Sequence, residues 1–322
     1  MTIYYIITQN CNLSCLHCIR GESNNCSMNK QSAIEGLNKL FCDYPNATII
    51  LSGGEPTLHP DFDIILQEAS KLFKYVVINS NGTTNYFRFS ELWIKENIVV
   101  QFSIDGDKNS HNSIRGRGSF EKAIQNIELI NQSMKPIWIS TTVSQKNYDS
   151  VKTLPKIFCM YNIAKWQVAP MMPFGNANRS DIISVEAWNK LVDELIKITP
   201  FRLGVRKLFE FKKLSMISKG DIQNIAKSDR NMDFRNCGCL RSKVYVYPNM
   251  IVYPCTCIND IPLGNLSEQS LKSILENANQ HYKIIPCKTC RKCRYYSICN
   301  GGCWGMQIEY GADIRCPLIC GV

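Results

Sequence analysis

The chain of 322 residues carries 17 cysteines, and three of them stand in one short run, Cys11-Asn-Leu-Ser-Cys15-Leu-His-Cys18. Three thiolates from a single loop can hold three irons of a [4Fe-4S] cube and leave the fourth iron open to a substrate or cofactor. The same residues also suit a zinc site short of one ligand, or three unconnected thiols. His17 lies inside the run, but there are four histidines in all and none is paired at metal spacing. A second element is Ser52-Gly53-Gly54-Glu55-Pro56. Its glycines let backbone groups approach a ligand closely, and the Glu55 carboxylate can accept from an ammonium group; alone, the segment is a plain turn.

A third array closes the chain. Cys290-x2-Cys293-x5-Cys299-x3-Cys303 is preceded by Cys287 and followed by Cys316 and Cys320, and upstream lie Cys237-Gly-Cys239 and Cys255-Thr-Cys257. That places 11 cysteines from Cys237 onward against 6 before it. Eleven thiols exceed one tetrahedral zinc and suffice for two four-ligand sites; a pair of zinc ribbons is the alternative. Cys26, Cys42 and Cys159 carry no such pattern, and Cys42, ending an apolar helix face, reads as a small core hydrophobe.

The elements that must position these residues alternate. Apolar runs suited to buried strands fall at 3–8, 48–52, 75–80, 98–104, 137–143 and 166–170, with helical periodicity between them over 30–42 and over 119–132, where Ser119 is the expected N-cap. Six strand–helix units build a parallel sheet covered on both faces, and both N-terminal motifs directly follow a strand, at the sheet edge where ligands bind. The pattern leaves a partial barrel and a doubly wound sheet both open. Beyond residue 200 the alternation stops. The expected division is 1–201 for the α/β unit, 202–236 for a basic, helical bridge, and 237–322 for a segment held together by metal ligation.

The charge of 37 − 27 = +10 is uneven: residues 1–201 hold 19 basic and 18 acidic groups (+1), 202–236 hold 9 and 4 (+5), and 237–322 hold 9 and 5 (+4). A basic bridge can attract an acidic peptide, whereas nucleic acid is not an expected partner. There is neither an uninterrupted apolar run long enough to span a bilayer nor a basic leader ahead of one, so no membrane association and a cytoplasmic location are expected. There, thiols stay reduced and become metal ligands before disulfides.

Taken together, the triad and the Gly-Gly-Glu-Pro segment resemble the radical S-adenosylmethionine (radical SAM) superfamily. The resemblance extends to Asn79-Ser80-Asn81-Gly82-Thr83, to Ser103-Ile104-Asp105-Gly106, and to the stretch from His111 through Arg115 to Phe120. It implies an α/β fold built as a partial (β/α)6 TIM-like barrel, with Cys11, Cys15 and Cys18 on a cluster whose open iron chelates S-adenosylmethionine. Reduction of that cluster would cleave the sulfonium to a 5′-deoxyadenosyl radical. Gly53, Gly54, Glu55 and Pro56 would meet the methionyl amine, Ser103 and Arg115, with Asp105 between them, the carboxylate side, and Asn79 or Asn81 the ribose.

The C-terminal array looks like the SPASM-type extension of radical SAM enzymes that modify peptides, and it implies two auxiliary [4Fe-4S] clusters. One would use Cys237, Cys255 and Cys303 with Cys239 or Cys257; the other would use Cys290, Cys293 and Cys299 with Cys316 or, failing that, Cys320. Cys239, Cys257, Cys287 and Cys320 are surplus to the family pattern, and the glycine expected five residues before Cys255 is Met250.

The function implied is maturation of a ribosomally made precursor peptide, by hydrogen abstraction and an intramolecular crosslink of cyclophane carbon–carbon or thioether type. Sulfatase-maturase-like side-chain oxidation and tetrapyrrole chemistry are the enzymatic alternatives, and a zinc-binding docking protein is the non-enzymatic one. Implied partners are the precursor peptide and an external electron donor such as flavodoxin or ferredoxin. A separate leader-binding protein is a further one, because strand one begins near residue 3 and leaves no room for a leader-binding domain. Lys207, Lys212 and Lys213 of the bridge are expected to help bind the peptide. No residue is singled out as a catalytic base.

Overall fold

The structure is a computed structural model describing residues 1–205, 207–208, 218, 220–221, 242–281, 288–299 and 301–316. Six parallel strands form where the apolar runs predict them: β1 (Thr2–Thr8), β2 (Thr48–Gly53), β3 (Tyr75–Ser80), β4 (Ile98–Ser103), β5 (Ile137–Val143) and β6 (Ile163–Pro170). Rich in Ile and Val, they form the parallel sheet of an α/β protein, with β1 to β4 largely buried and β5 and β6 fully buried on one face only. Helices α1 (Lys30–Asp43), α2 (Phe62–Leu72), α3 (Ser90–Trp93), α4 (Lys108–Arg115), α5 (Ser119–Gln132), α6 (Leu154–Phe158) and α7 (Val185–Ile198) intervene. Asn29 caps α1 by accepting from Ser32 N at 2.8 Å.

Ser119 is not the cap of α5. Gly118 takes the cap position at φ 78°, in the left-handed region, and Ser119 is the first helical residue, its hydroxyl donating back to Gly116 O at 2.7 Å.

The strand order is β10-β9-β8-β1-β2-β3-β4-β5-β6-β7, including the short β7 (Leu203–Gly204), β8 (Lys243–Val246), β9 (Ile251–Tyr253) and β10 (Gly264–Asn265). Among the described residues β1 pairs with β2 and β8 and not with β6, so the sheet is a partial (β/α)6 barrel. Strand β8 lies parallel to β1, with Thr2 opposite Lys243, and turns back antiparallel into β9. The cysteine-rich segment therefore grows out of the barrel sheet itself. The helix Leu271–His281 is moored to α1 from its N-terminal side: Lys39 Nζ donates to Leu266 O and Ser267 O, and Asp43 accepts from Lys272 N.

The β8–β9 turn closes with Met250 N donating to Tyr247 O at 2.8 Å, and Met250 adopts φ +63°. A methionine thus occupies the left-handed position that a glycine would take without steric cost. Its buried side chain packs against α1 at Gly36, where an added Cβ would lie 2.9 Å from Met250 Cε.

Most of the 202–236 bridge, with Lys212 and Lys213, lies outside the described residues, as do Cys237, Cys239, Cys287 and Cys320. Lys207 is described, and pairs with Asp193 of α7 at 2.7 Å. Among the described residues no helix is long and apolar enough to cross a membrane.

Candidate active site

The loop after β1 carries Cys11, Cys15 and Cys18 along a cleft of about 1040 Å³ at the C-terminal ends of the strands. Its position follows from the neighbouring loop. Gly54 N donates to Thr8 O at 3.0 Å and Glu55 N to Asn10 O at 2.8 Å, so the segment after β2 clamps the backbone just ahead of Cys11. Only glycines allow this approach: a Cβ at Gly53 would lie 2.1 Å from Thr8 O, and one at Gly54 2.4 Å from Asn10 O.

Glu55 is fully buried and faces away from the cleft. Its Oε1 accepts from Thr57 Oγ1 at 2.6 Å and Ser80 Oγ at 2.8 Å, and its Oε2 from Asn81 N at 2.7 Å. Burial pushes its pKa up against the lowering effect of these bonds. The carboxylate thus fastens the loop after β2 to the end of β3, and the sequence expectation that it accepts from an ammonium group does not match this orientation. Gly53, Gly54, Asn79, Asn81, Ser103 and Arg115 do line the cleft; Glu55, Pro56 and Asp105 lie behind it. Asn81 Nδ2 donates to Asn12 Oδ1 at 2.9 Å and reaches Cys11 Sγ at 3.9 Å.

Asp105, wholly buried at the end of β4, organises the opposite wall. Its Oδ2 meets His17 Nε2 at 2.6 Å and Arg115 Nε at 2.5 Å, and its Oδ1 accepts from Thr142 N at 2.7 Å. Burial alone would raise its pKa, but Arg115 and His17 outweigh that and hold it well below the usual carboxylate range. Arg115 Nη1 in turn lies 4.0 Å from Cys15 Sγ. His17 stands two residues after Cys15 and one before Cys18, and this placement gives no sign in the sequence of a partner 88 residues away.

Burial also pushes the Cys11 thiol up and the Cys15 thiol up to about 11. Loading a cluster must therefore release these protons, as thiolate ligation always does. The donor set fits an iron–sulfur cube with an open iron: three thiols on one loop, a glycine cradle beside them, and the neighbouring His17 already engaged by Asp105. Among the described residues no three Cys, His, Asp or Glu side chains gather around a single-ion position.

The far wall of the same cleft comes from the C-terminal segment: Tyr247, Thr256 and Asn259 face the triad loop, and Thr256 sits between Cys255 and Cys257. Gly305, in the helix Trp304–Tyr310, packs so closely that a Cβ there would lie 2.6 Å from Cys257 Cβ. Cys303, which precedes that helix, donates its N–H to Asp313 Oδ2 at 2.8 Å, and Asp313 is held by both arms of Arg315 at 2.7 and 2.9 Å. Cys290, Cys299, Cys303 and Cys316 are buried, with Cys293 partly so, and Gly301 N donates to Cys299 Sγ at 3.4 Å.

Residues 5–153, which carry the triad and the Gly53–Gly54 cradle, match the model of the Radical SAM superfamily, so this part of the chain is a radical SAM domain, whose cofactors are a [4Fe-4S] cluster and S-adenosylmethionine. It is 25% identical over 316 residues to an AdoMet-dependent heme synthase of Methanosarcina barkeri, covering 93% of this chain and 90% of that one. To the sporulation killing factor maturation protein SkfB of Bacillus subtilis it is 27% identical over 296 residues, covering 88% and 67%. The crystal structure of Streptococcus suis SuiB bound to precursor peptide SuiA shares the fold, with TM-score 0.78 and 18% identity over 98% of this chain and 75% of that one.

Proposed function

We propose that this enzyme matures a ribosomally made precursor peptide, abstracting hydrogen from one of its residues and closing an intramolecular crosslink of cyclophane or thioether type. The observation that carries the reading is the shared cleft, in which the Cys255–Cys257 turn faces the Cys11–Cys15–Cys18 loop. The bound cluster and S-adenosylmethionine supply reductive cleavage and a hydrogen-abstracting radical. Crosslinking then needs an electron acceptor beside the same substrate, and the lining of the cleft by Thr256, between Cys255 and Cys257, supports that role for a cluster held by the C-terminal cysteines.

In this reading Cys255 and Cys303, with Cys237 and Cys239 or Cys257, hold one auxiliary cluster, and Cys290, Cys293, Cys299 and Cys316 hold another. An external flavodoxin or ferredoxin supplies electrons, and a separate leader-binding protein presents the peptide. The chain's own residues hold the reactants: Gly53 and Gly54 cradle the methionyl amine, Ser103 and Arg115 the carboxylate, and Asn79 and Asn81 the ribose. The likeness to a maturation protein and to a structure holding a precursor peptide supports this reading.

A second reading, radical chemistry on a tetrapyrrole, is favoured by the heme synthase match across nearly the full length of both chains. The test is anaerobic incubation of the reconstituted enzyme with S-adenosylmethionine, a low-potential reductant and synthetic precursor peptides, in parallel with a tetrapyrrole, followed by mass analysis. Loss of two hydrogens from a peptide supports maturation. Turnover of the tetrapyrrole alone contradicts it.

A further inference from the structure

Among the described residues, one cation lining the cleft has no counter-ion. Of the arginines and histidine that line it, Arg115 and His17 are both committed to Asp105. Arg20, two residues past Cys18, makes no ion pair among the described residues. Its Nη2 reaches Ser52 Oγ at 3.4 Å, the outer limit of a hydrogen bond, and its Nη1 is buried with no acceptor. Its guanidinium lies 5.9 Å from the ring centre of Tyr247, on the C-terminal wall, so one face rests on an aromatic while the donor edge stays unfilled. Glu22, the acidic side chain that also lines the cleft, makes no ion pair with it.

We infer that Arg20 anchors a carboxylate of the substrate, an Asp or Glu side chain or a terminal carboxylate of the peptide. An orphaned buried donor is costly and calls for an acceptor, and a guanidinium edge matches the two oxygens of a carboxylate. The position favours substrate over S-adenosylmethionine. Arg20 bridges Ser52 at the end of β2 to Tyr247 in the β8–β9 turn, so it stands between the triad loop and the C-terminal cysteine turn, where a substrate serving both must lie. This assignment rests on the peptide reading above.

The test is affinity selection on the reconstituted enzyme from a synthetic pool of short random peptides, made half as C-terminal acids and half as amides. Bound peptides are identified by mass spectrometry for wild type, Arg20→Gln and Arg20→Lys, and S-adenosylmethionine affinity is measured separately by equilibrium dialysis. Carboxylate-bearing peptides should be enriched about tenfold by the wild type, the scale of one charge-assisted contact. Arg20→Gln should lose that enrichment, Arg20→Lys should keep part of it, and S-adenosylmethionine affinity should hold. Enrichment that survives in Arg20→Gln overturns the inference. So does a tenfold loss of S-adenosylmethionine affinity with peptide enrichment intact, which would make the carboxylate the cofactor's own. Retention of no peptide beyond a heat-denatured control would instead defeat the peptide reading itself.

Discussion

His17 and Asp105, 88 residues apart in the chain, meet at 2.6 Å and thereby tie the cysteine loop to the end of β4. Because Arg115 shares the same carboxylate oxygen, Asp105 is the common anchor of two side chains that border the thiols. Asp105→Asn keeps the shape and removes the charge, leaving Arg115 buried without its counter-ion. The expected cost is about 3 kcal/mol in chemical denaturation of the reconstituted enzyme, with loss of N-terminal iron. His17→Ala should cost roughly 1–2 kcal/mol. Equal, small effects would show that Asp105 is not the anchor.

His111 gives the site a pH dependence. It is buried, its Nδ1 accepts from Asp105 N at 3.1 Å, and burial followed by the nearby Arg115 lowers its pKa to about 4 from the ordinary 6.5. The folded state thus disfavours the protonated ring. The contribution to stability is present above 6.5 and is lost as pH falls from 6.5 toward 4. Between pH 7 and pH 5 the wild type should lose about 2 kcal/mol from this group alone, and His111→Asn should lose correspondingly less. Parallel pH slopes for the two proteins would contradict this.

Two glycines with different surroundings should respond differently to alanine. At Gly54 the new Cβ meets backbone, 2.4 Å from Asn10 O, and must push the segment ahead of Cys11. At Gly118 nothing lies within 4 Å, and only the φ of +78° resists. Gly118→Ala should cost about 1 kcal/mol and keep its iron. Gly54→Ala should lose iron from the triad after reconstitution.

The six barrel strands were legible because buried parallel strands read as unbroken apolar runs, and the motifs could be placed because each follows such a run. What the sequence concealed is instructive in its causes. β8 and β9 lie in a segment dominated by cysteine, although Val244, Tyr245 and Val246 before the Pro248-Asn249 turn carry a hairpin signal. Glu55 read as a ligand group because a carboxylate's orientation is set by Thr57, Ser80 and Asn81, two of which come from the next strand and its loop. Arg20 gave no sign at all, since its isolation is defined by partners that turn elsewhere.

Met250 permits a sharper check, because sterics and packing oppose one another there. Glycine would relieve the left-handed strain, worth about 1–2 kcal/mol, whereas alanine would keep it; both lose the buried methionine side chain. Both variants should be less stable than the wild type by denaturation. Met250→Ala should be the worse, despite being the smaller change in volume. The reverse order would show that the backbone at residue 250 is unstrained.

The most direct test of the whole account is iron and acid-labile sulfide per chain after anaerobic reconstitution, with zinc measured alongside. Wild type is compared with the Cys11/Cys15/Cys18→Ala triple variant. The account predicts about twelve irons falling to about eight, three clusters becoming two. An iron content that the triple variant leaves unchanged, or zinc in place of iron, would contradict it.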